Sequence, residues 1–132
     1  MLKILPIQSK ADQELYCSRC GVTYREDALA YAASVDEKFI GICQFRTAGE
    51  VGEVYDLTLV PNVEDFEAVF LMGRAALNFI DLCGVHKAIY VSEKIDESLL
   101  SAVGFKKNEK GIFEMDLKDF FLHPCQHHDP KK

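Results

Sequence analysis

The sequence predicts an α/β fold of mixed α+β type, a twisted mixed sheet of about six to seven strands with helices on both faces. Three observations carry that expectation. The stretch from Glu53 to Ser92 reads as strand, connector, helix, strand. Before it, two apolar runs, Asp27 to Val35 and Phe39 to Phe45, meet across the polar turn Asp36-Glu37-Lys38. After it, a short helix and a last hairpin close the chain. A strand returning after a helical crossover is most easily parallel to the first, whereas a short turn forces antiparallel pairing, so the sheet has to be mixed.

Taken in order, Leu2-Lys3-Ile4-Leu5-Pro6-Ile7 is a short strand that Pro6, lacking an N–H, breaks or confines to an edge. Ser9 or Asp12 can cap a helix through Leu15, Tyr16 and Cys20 that stops at Gly21. The alanines after Asp27 suit a helix, but Leu29, Tyr31, Ala33 and Val35 alternate, and the turn that follows decides for a strand. A second turn, Thr47 to Gly52, leads into Glu53 to Val60, read as one continuous strand ending at Pro61. From Asp65 the spacing changes: Phe66, Val69, Phe70, Gly73, Ala76, Leu77 and Ile80 recur three or four residues apart, and this predicts a helix to Cys83. Asp65 can cap it, and Gly84 can take the left-handed position beyond its last turn. Ala88 to Ser92 is the returning strand. Asp96 caps a helix through Leu99, Leu100 and Val103 that Gly104 ends, and Ile112 to Leu117 alternates as the closing strand. The expected division is a domain over 1–122 and a polar tail over 123–132 that frays.

At 132 residues and 48% hydrophobic, the chain suits one core and one site. A net charge of −6 without a dense Lys/Arg block argues against nucleic-acid phosphates and for a cationic or neutral partner. No apolar run approaches the roughly 18 residues of a membrane span, and the N-terminus is too short for a secretory signal. No membrane association and a cytoplasmic location are therefore expected. The five cysteines are odd in number, and reduced thiols are the expectation.

The order β, α, three antiparallel strands, α, β, α, β, β, the strand ending Leu59-Val60-Pro61, and Gly104-Phe105 after the last helix together resemble the GCN5-related N-acetyltransferase superfamily over most of the chain. The resemblance implies a divergent small member that moves an acetyl group from acetyl-CoA to the amine of a small molecule or peptide. It implies a cofactor cleft where the strand before the long helix splays from the strand after it. The pantetheine arm would pair with backbone near Leu59 and Val60, and the pyrophosphate would sit on a Gln/Arg-x-x-Gly-x-Gly/Ala loop at the helix start. Placed by the long helix, that motif falls on Ala68-Val69-Phe70-Leu71-Met72-Gly73, with Met72, Gly73 and Arg74 as cofactor candidates. Only Gly73 matches, and Glu64-Asp65-Phe66-Glu67 brings negative charge to the approach. The tyrosine acid of the family falls on Leu100. Its carboxylate base falls on Asp56, with Glu53 second; Tyr55 and Tyr90 flank the opening, and Ser92 stands at the end of the second strand.

Each of these residues has a structural reading too. Asp56 suits a paired strand carboxylate, Glu53 a solvated turn, the tyrosines a packed core, Ser92 a helix approach and Arg74 an exposed helix face. Two other functional classes therefore stand beside the enzyme: a non-catalytic relative using the cleft or a strand edge for binding or homodimerisation, and a zinc-stabilised interaction domain. The zinc set would be Cys17, Cys20, Cys125 and His127. Residues three apart in a helix share a face without any metal, so zinc is not expected. Cys43 and Cys83 lie in apolar contexts that read as core.

Overall fold

Two local turns organise the first half of the sheet. Asp36 and Glu37 both take left-handed backbone, with φ of 51° and 72°, the twist that a two-residue hairpin loop needs. The loop joins β2 (Leu29–Val35) to β3 (Lys38–Ala48). Gly49, at φ 67°, turns β3 into β4 (Val51–Val54). The computed structural model describes residues 1–92 and 94–118. Its remaining elements are β1 (Leu2–Pro6), α1 (Lys10–Cys20), β5 (Thr58–Leu59), α2 (Phe66–Leu82), β6 (Lys87–Tyr90), α3 (Glu97–Val103), β7 (Lys106–Lys107) and β8 (Phe113–Asp116). Among the described residues the sheet has eight strands, ordered β1-β2-β3-β4-β6-β8-β7, with β5 on β3. The extra strand relative to expectation is the two-residue β5.

The helices begin where short polar side chains can accept the first free N–H groups. Ser9, not Asp12, caps α1 by accepting from the Asp12 N–H, Asp65 accepts from the Ala68 N–H, and Asp96 accepts from the Leu99 N–H. Strand alternation, shifted by one residue where Ile40 bulges between Phe39 and Gly41, then sends β3 side chains to opposite faces. Ile42 and Phe39 meet Cys17 and Cys20 of α1, with Tyr16 stacked on Phe39 at 4.0 Å. Cys43 and Phe45 meet Met72, Ala76, Leu77 and Ile80 of α2, and Leu100 and Val103 of α3 extend that core. The sheet is thus covered on both faces. Cys83 is an exception to the expected core: it caps the C-terminus of α2 and is exposed.

The central strand differs from expectation in a way that makes the site. Phe45 pairs with Val54 and Ile42 pairs with Thr58, so four residues advance on one strand against three on the other. The segment expected as one strand is therefore β4 and β5 separated by a bulge at Tyr55-Asp56-Leu57. On the other side β4 runs parallel to β6, Gly52 to Ala88 through Val54 to Tyr90. Their last bond is Val91 N–H to Val54 O, 2.9 Å, and beyond it the bulge carries β5 onto β3 and away from β6.

Gly41 holds β5 in place. A Cβ there would stand 2.6 Å from Leu59 Cδ2 and 2.9 Å from the Thr58 carbonyl oxygen. The side chain can turn aside, but the backbone oxygen cannot without breaking β5 from β3. Gly41→Ala is expected to destabilise the fold by about 1–3 kcal/mol, read by urea unfolding; an unchanged midpoint would show that β5 shifts freely.

Candidate active site

The bulge exists because a side chain replaces a strand. The Gln44 backbone N–H donates to Asp56 Oδ1 at 2.9 Å, and the Gln44 amide Nε2 donates to Asp56 Oδ2 at 2.9 Å. Gln44 Oε1 in turn accepts from Gln13 Nε2 and from the Arg25 backbone N–H, each at 2.9 Å, while Nε2 also donates to Thr23 O at 2.8 Å. Gln13, Gln44 and Asp56 are the buried polar residues of the described chain, and they join α1, the loop after it, β3 and the bulge. Burial pushes the Asp56 carboxyl up, while the two Gln44 donors and Arg25 oppose that shift.

The residues expected to supply a base are therefore engaged. Both oxygens of Asp56 accept from Gln44, which makes it the clamp of the bulge. Glu53 is neither a free base nor a solvated turn: it lies in β4, where Oε1 accepts from the Tyr55 hydroxyl at 2.6 Å and from Arg46 Nε at 3.4 Å. Arg46 also pairs with Asp27 at 2.9 Å. Tyr55 carries the Arg25 guanidinium 4.1 Å above its ring, and burial pushes its hydroxyl up to about 12.

Where β5 leaves β6, two cavities open on opposite sides of the parting strands. The larger, about 450 Å³, lies between β5 and the two C-terminal helices and is lined by Leu57, Leu59, Glu64, Phe66, Tyr90 and Leu100 among others. The smaller, about 400 Å³, is lined by Arg25, Tyr55, Asp56, Ser92 and Lys94 with the loop after α1. Lys94 lines both. Because the Val60 N–H donates to Ile40 O and Thr58 pairs with Ile42, these two residues turn their peptide groups to β3. The alternate residue Leu59 turns its peptide to the larger cavity. Of the two backbone positions expected near a pantetheine arm, Leu59 is open and Val60 has its N–H committed.

Tyr90 lines the larger cavity beside Lys94, where the two cavities join. Its hydroxyl donates to Lys94 O at 3.2 Å, and Ser92 Oγ accepts from the Lys94 N–H at 3.1 Å. Burial pushes the Tyr90 hydroxyl up to about 12, with the Ser92 side chain and the Leu57 backbone N–H pulling the other way. It is protonated at neutral pH. Ser92 thus belongs to the junction rather than to the cap of α3, a role that Asp96 fills. Leu100, where the resemblance puts a tyrosine acid, is buried on the wall of the larger cavity.

The expected pyrophosphate loop is not a loop. Ala68 to Gly73 lie inside α2, which starts at Phe66. Met72 is fully buried, and a Cβ on Gly73 would already stand 3.3 Å from Leu57. Arg74 is neither exposed nor at the helix start: its Nε donates to Val103 O at 2.7 Å and its guanidinium lies 4.8 Å over Phe70, tying α2 to α3. At the actual helix start, Asp65 takes the Ala68 N–H, and Glu64 and Asp65 line the cavity. An acetyl-pantetheine arm fits the open Leu59 peptide and the apolar wall; a diphosphate there meets carboxylates, with Lys94 as the cation of the lining.

The buried thiols are poor nucleophiles. Burial raises Cys17 to about 12 and Cys20 to about 11, with Asp56 adding to both, and it raises Cys43 well above the usual thiol range. Cys125 and His127, the other half of the zinc set, lie outside the described residues, as does the 123–132 tail.

The sequence matches no protein-family model and no curated protein. Solved structures match its fold. The PaiA N-acetyltransferase of Thermoplasma acidophilum, in complex with coenzyme A, is 15% identical with a TM-score of 0.67, over 88% of this chain and 99% of that one. The ribosomal-protein-S18-alanine N-acetyltransferase of Escherichia coli is 10% identical with a TM-score of 0.67, over 89% and 94%. The IAA acetyltransferase of Bacillus cereus is 18% identical with a TM-score of 0.66, over 89% and 100%. The chain has the fold of the GCN5-related N-acetyltransferases.

Proposed function

We propose that the chain is a divergent N-acyltransferase that moves an acetyl group from acetyl-CoA to an amine of a small molecule or peptide. The observation that carries this reading is the parting of β5 from β6, which leaves two cavities that share Lys94, with Tyr90 and Leu57 on the wall of the larger one. Acyl transfer needs two reactants brought together from opposite sides, a donor for the developing oxyanion and a proton for the leaving thiolate. The Leu57 N–H serves the oxyanion. The protonated Tyr90 hydroxyl serves the leaving sulfur as the C–N bond forms and the C–S bond breaks, and Ser92 lies beside it to return a proton. Both carboxylates expected as the base are engaged, so the amine nitrogen releases its proton to water in the smaller cavity. Thiol release from acetyl-CoA in the presence of an amine panel tests the reading; no release with any amine would remove it.

A second reading, a non-catalytic binding module, is favoured by the carboxylates at the start of α2. CoA affinity separates the two. Each like charge near an anion at a protein surface is worth on the order of 1 kcal/mol, so Glu64→Gln with Glu67→Gln is expected to tighten weak CoA binding roughly tenfold. Calorimetry on both proteins checks this. Tight binding unchanged by the two substitutions would show that these carboxylates face away from the cleft, and no binding by either protein would leave the module reading standing.

A further inference from the structure

We propose that the acceptor carries an anionic group beside its amine, in the simplest case the carboxylate of an amino acid, and that Arg25 and Lys94 hold this group in the smaller cavity. The inference rests on the transferase reading and adds the class of acceptor. The chain is acidic as a whole, with a net charge of −6, yet the charges presented to this cavity run the other way. Among the described residues its one lining carboxylate, Asp56, is 5% exposed and spends both oxygens on Gln44. Glu53, which accepts from the Tyr55 hydroxyl, and Asp27 are both paired with Arg46.

Arg25 and Lys94, by contrast, have no carboxylate within ion-pair distance among the described residues. Arg25 is nevertheless held in place: its backbone N–H is fixed by Gln44, and its guanidinium carbon lies 4.1 Å from the centre of the Tyr55 ring. A guanidinium held over one ring keeps N–H donors for an anion, and their fork suits a carboxylate or phosphate. Lys94 lines both cavities, so an anion bound between the two cations keeps its attached amine close to Tyr90 and the Leu57 N–H. A polyamine or other dication would set a second ammonium against the same two charges. About 400 Å³ accommodates a single amino acid.

Binding to the protein without acyl donor tests this separately from catalysis. The probes are individual amino acids with their methyl esters, phosphoethanolamine with ethanolamine, and spermidine, each titrated by calorimetry at millimolar concentration. At least one anionic member is expected to bind roughly tenfold or more tightly than its uncharged partner and than spermidine. Arg25→Gln and Lys94→Gln are each expected to narrow that gap several-fold, with Arg25→Lys restoring part of it. Preference for phosphoethanolamine would identify the anion as phosphate and support the same site. Equal or tighter binding of the esters or of spermidine, no binding by any probe, or a gap untouched by both substitutions would overturn the proposal. Anion-dependent binding without acetyl transfer would sink the transferase reading and leave this site standing.

Discussion

Tyr90→Phe is expected to lower kcat for acetyl transfer by roughly a hundredfold or more, in the range that a positioned proton donor contributes, while CoA binding changes little. The side chain has the qualities the role needs. It is 9% exposed, its hydroxyl is protonated at neutral pH, and it lines the larger cavity with its hydroxyl bonded to Lys94, which lines both cavities. Phenylalanine keeps the ring that packs on Phe105 at 6.1 Å and removes only the hydroxyl. The bond lost to Lys94 O, at 3.2 Å, is worth about 1 kcal/mol to the fold. Steady-state kinetics beside a thermal melt separate the two effects. A variant with unchanged kcat would remove Tyr90 from the chemistry.

Asp56→Ala is expected to cost about 3 kcal/mol of stability, because it leaves the Gln44 backbone N–H and side-chain amide without their buried acceptor. For a domain of this size that lowers Tm by roughly 10 °C. Asp56→Asn separates volume from hydrogen bonding. An asparagine has one acceptor and one donor group where two donors arrive, and Gln44 cannot flip, since Gln13, Arg25 and Thr23 hold its other contacts. Asn is therefore expected to recover only part of the loss. The pH dependence carries a definite sign. Burial raises the folded carboxyl above its ordinary value, so the native state binds that proton more tightly than the unfolded chain does. The contribution to stability is fully present below the unfolded pKa of about 3.9 and is lost as pH rises through the folded pKa. Denaturant midpoints across that window should show this slope in the wild type and not in either variant; identical slopes in all three proteins would mean the carboxyl titrates as an exposed group does.

The acceptor site inverts an argument from composition. Net charge is a property of the whole surface and predicts long-range steering, but a ligand in a cavity of amino-acid size meets only the groups that line it. Several other carboxylates stand in ion pairs outside this lining. Asp36 pairs with the N-terminal amine, Glu37 with Lys3, Glu114 with Lys87 and Glu97 with Lys107.

What the sequence alone determined is what neighbouring residues decide among themselves. Asp65 and Asp96 marked two helix starts and Ser9 was one of two candidates for the third, each accepting from an N–H three residues on, and the returning β6 followed from the helix between the strands. The hairpin at Asp36 was legible for the same reason. Tertiary structure decided the site. The bulge depends on Gln44 meeting Asp56, 12 residues away, and Gln44 is steadied by Gln13, 31 residues away; no periodicity records such pairs. Aligning a motif on Gly73 carried the expected loop into the helix, although the cap at Asp65 had already marked where α2 begins. That glycine packs against Leu57 and Val103, a contact between elements rather than an approach for an anion. The placing of Arg25 over Tyr55, which gives the smaller cavity its charge, joins a loop to a bulge 30 residues on, and only the folded sheet brings them together.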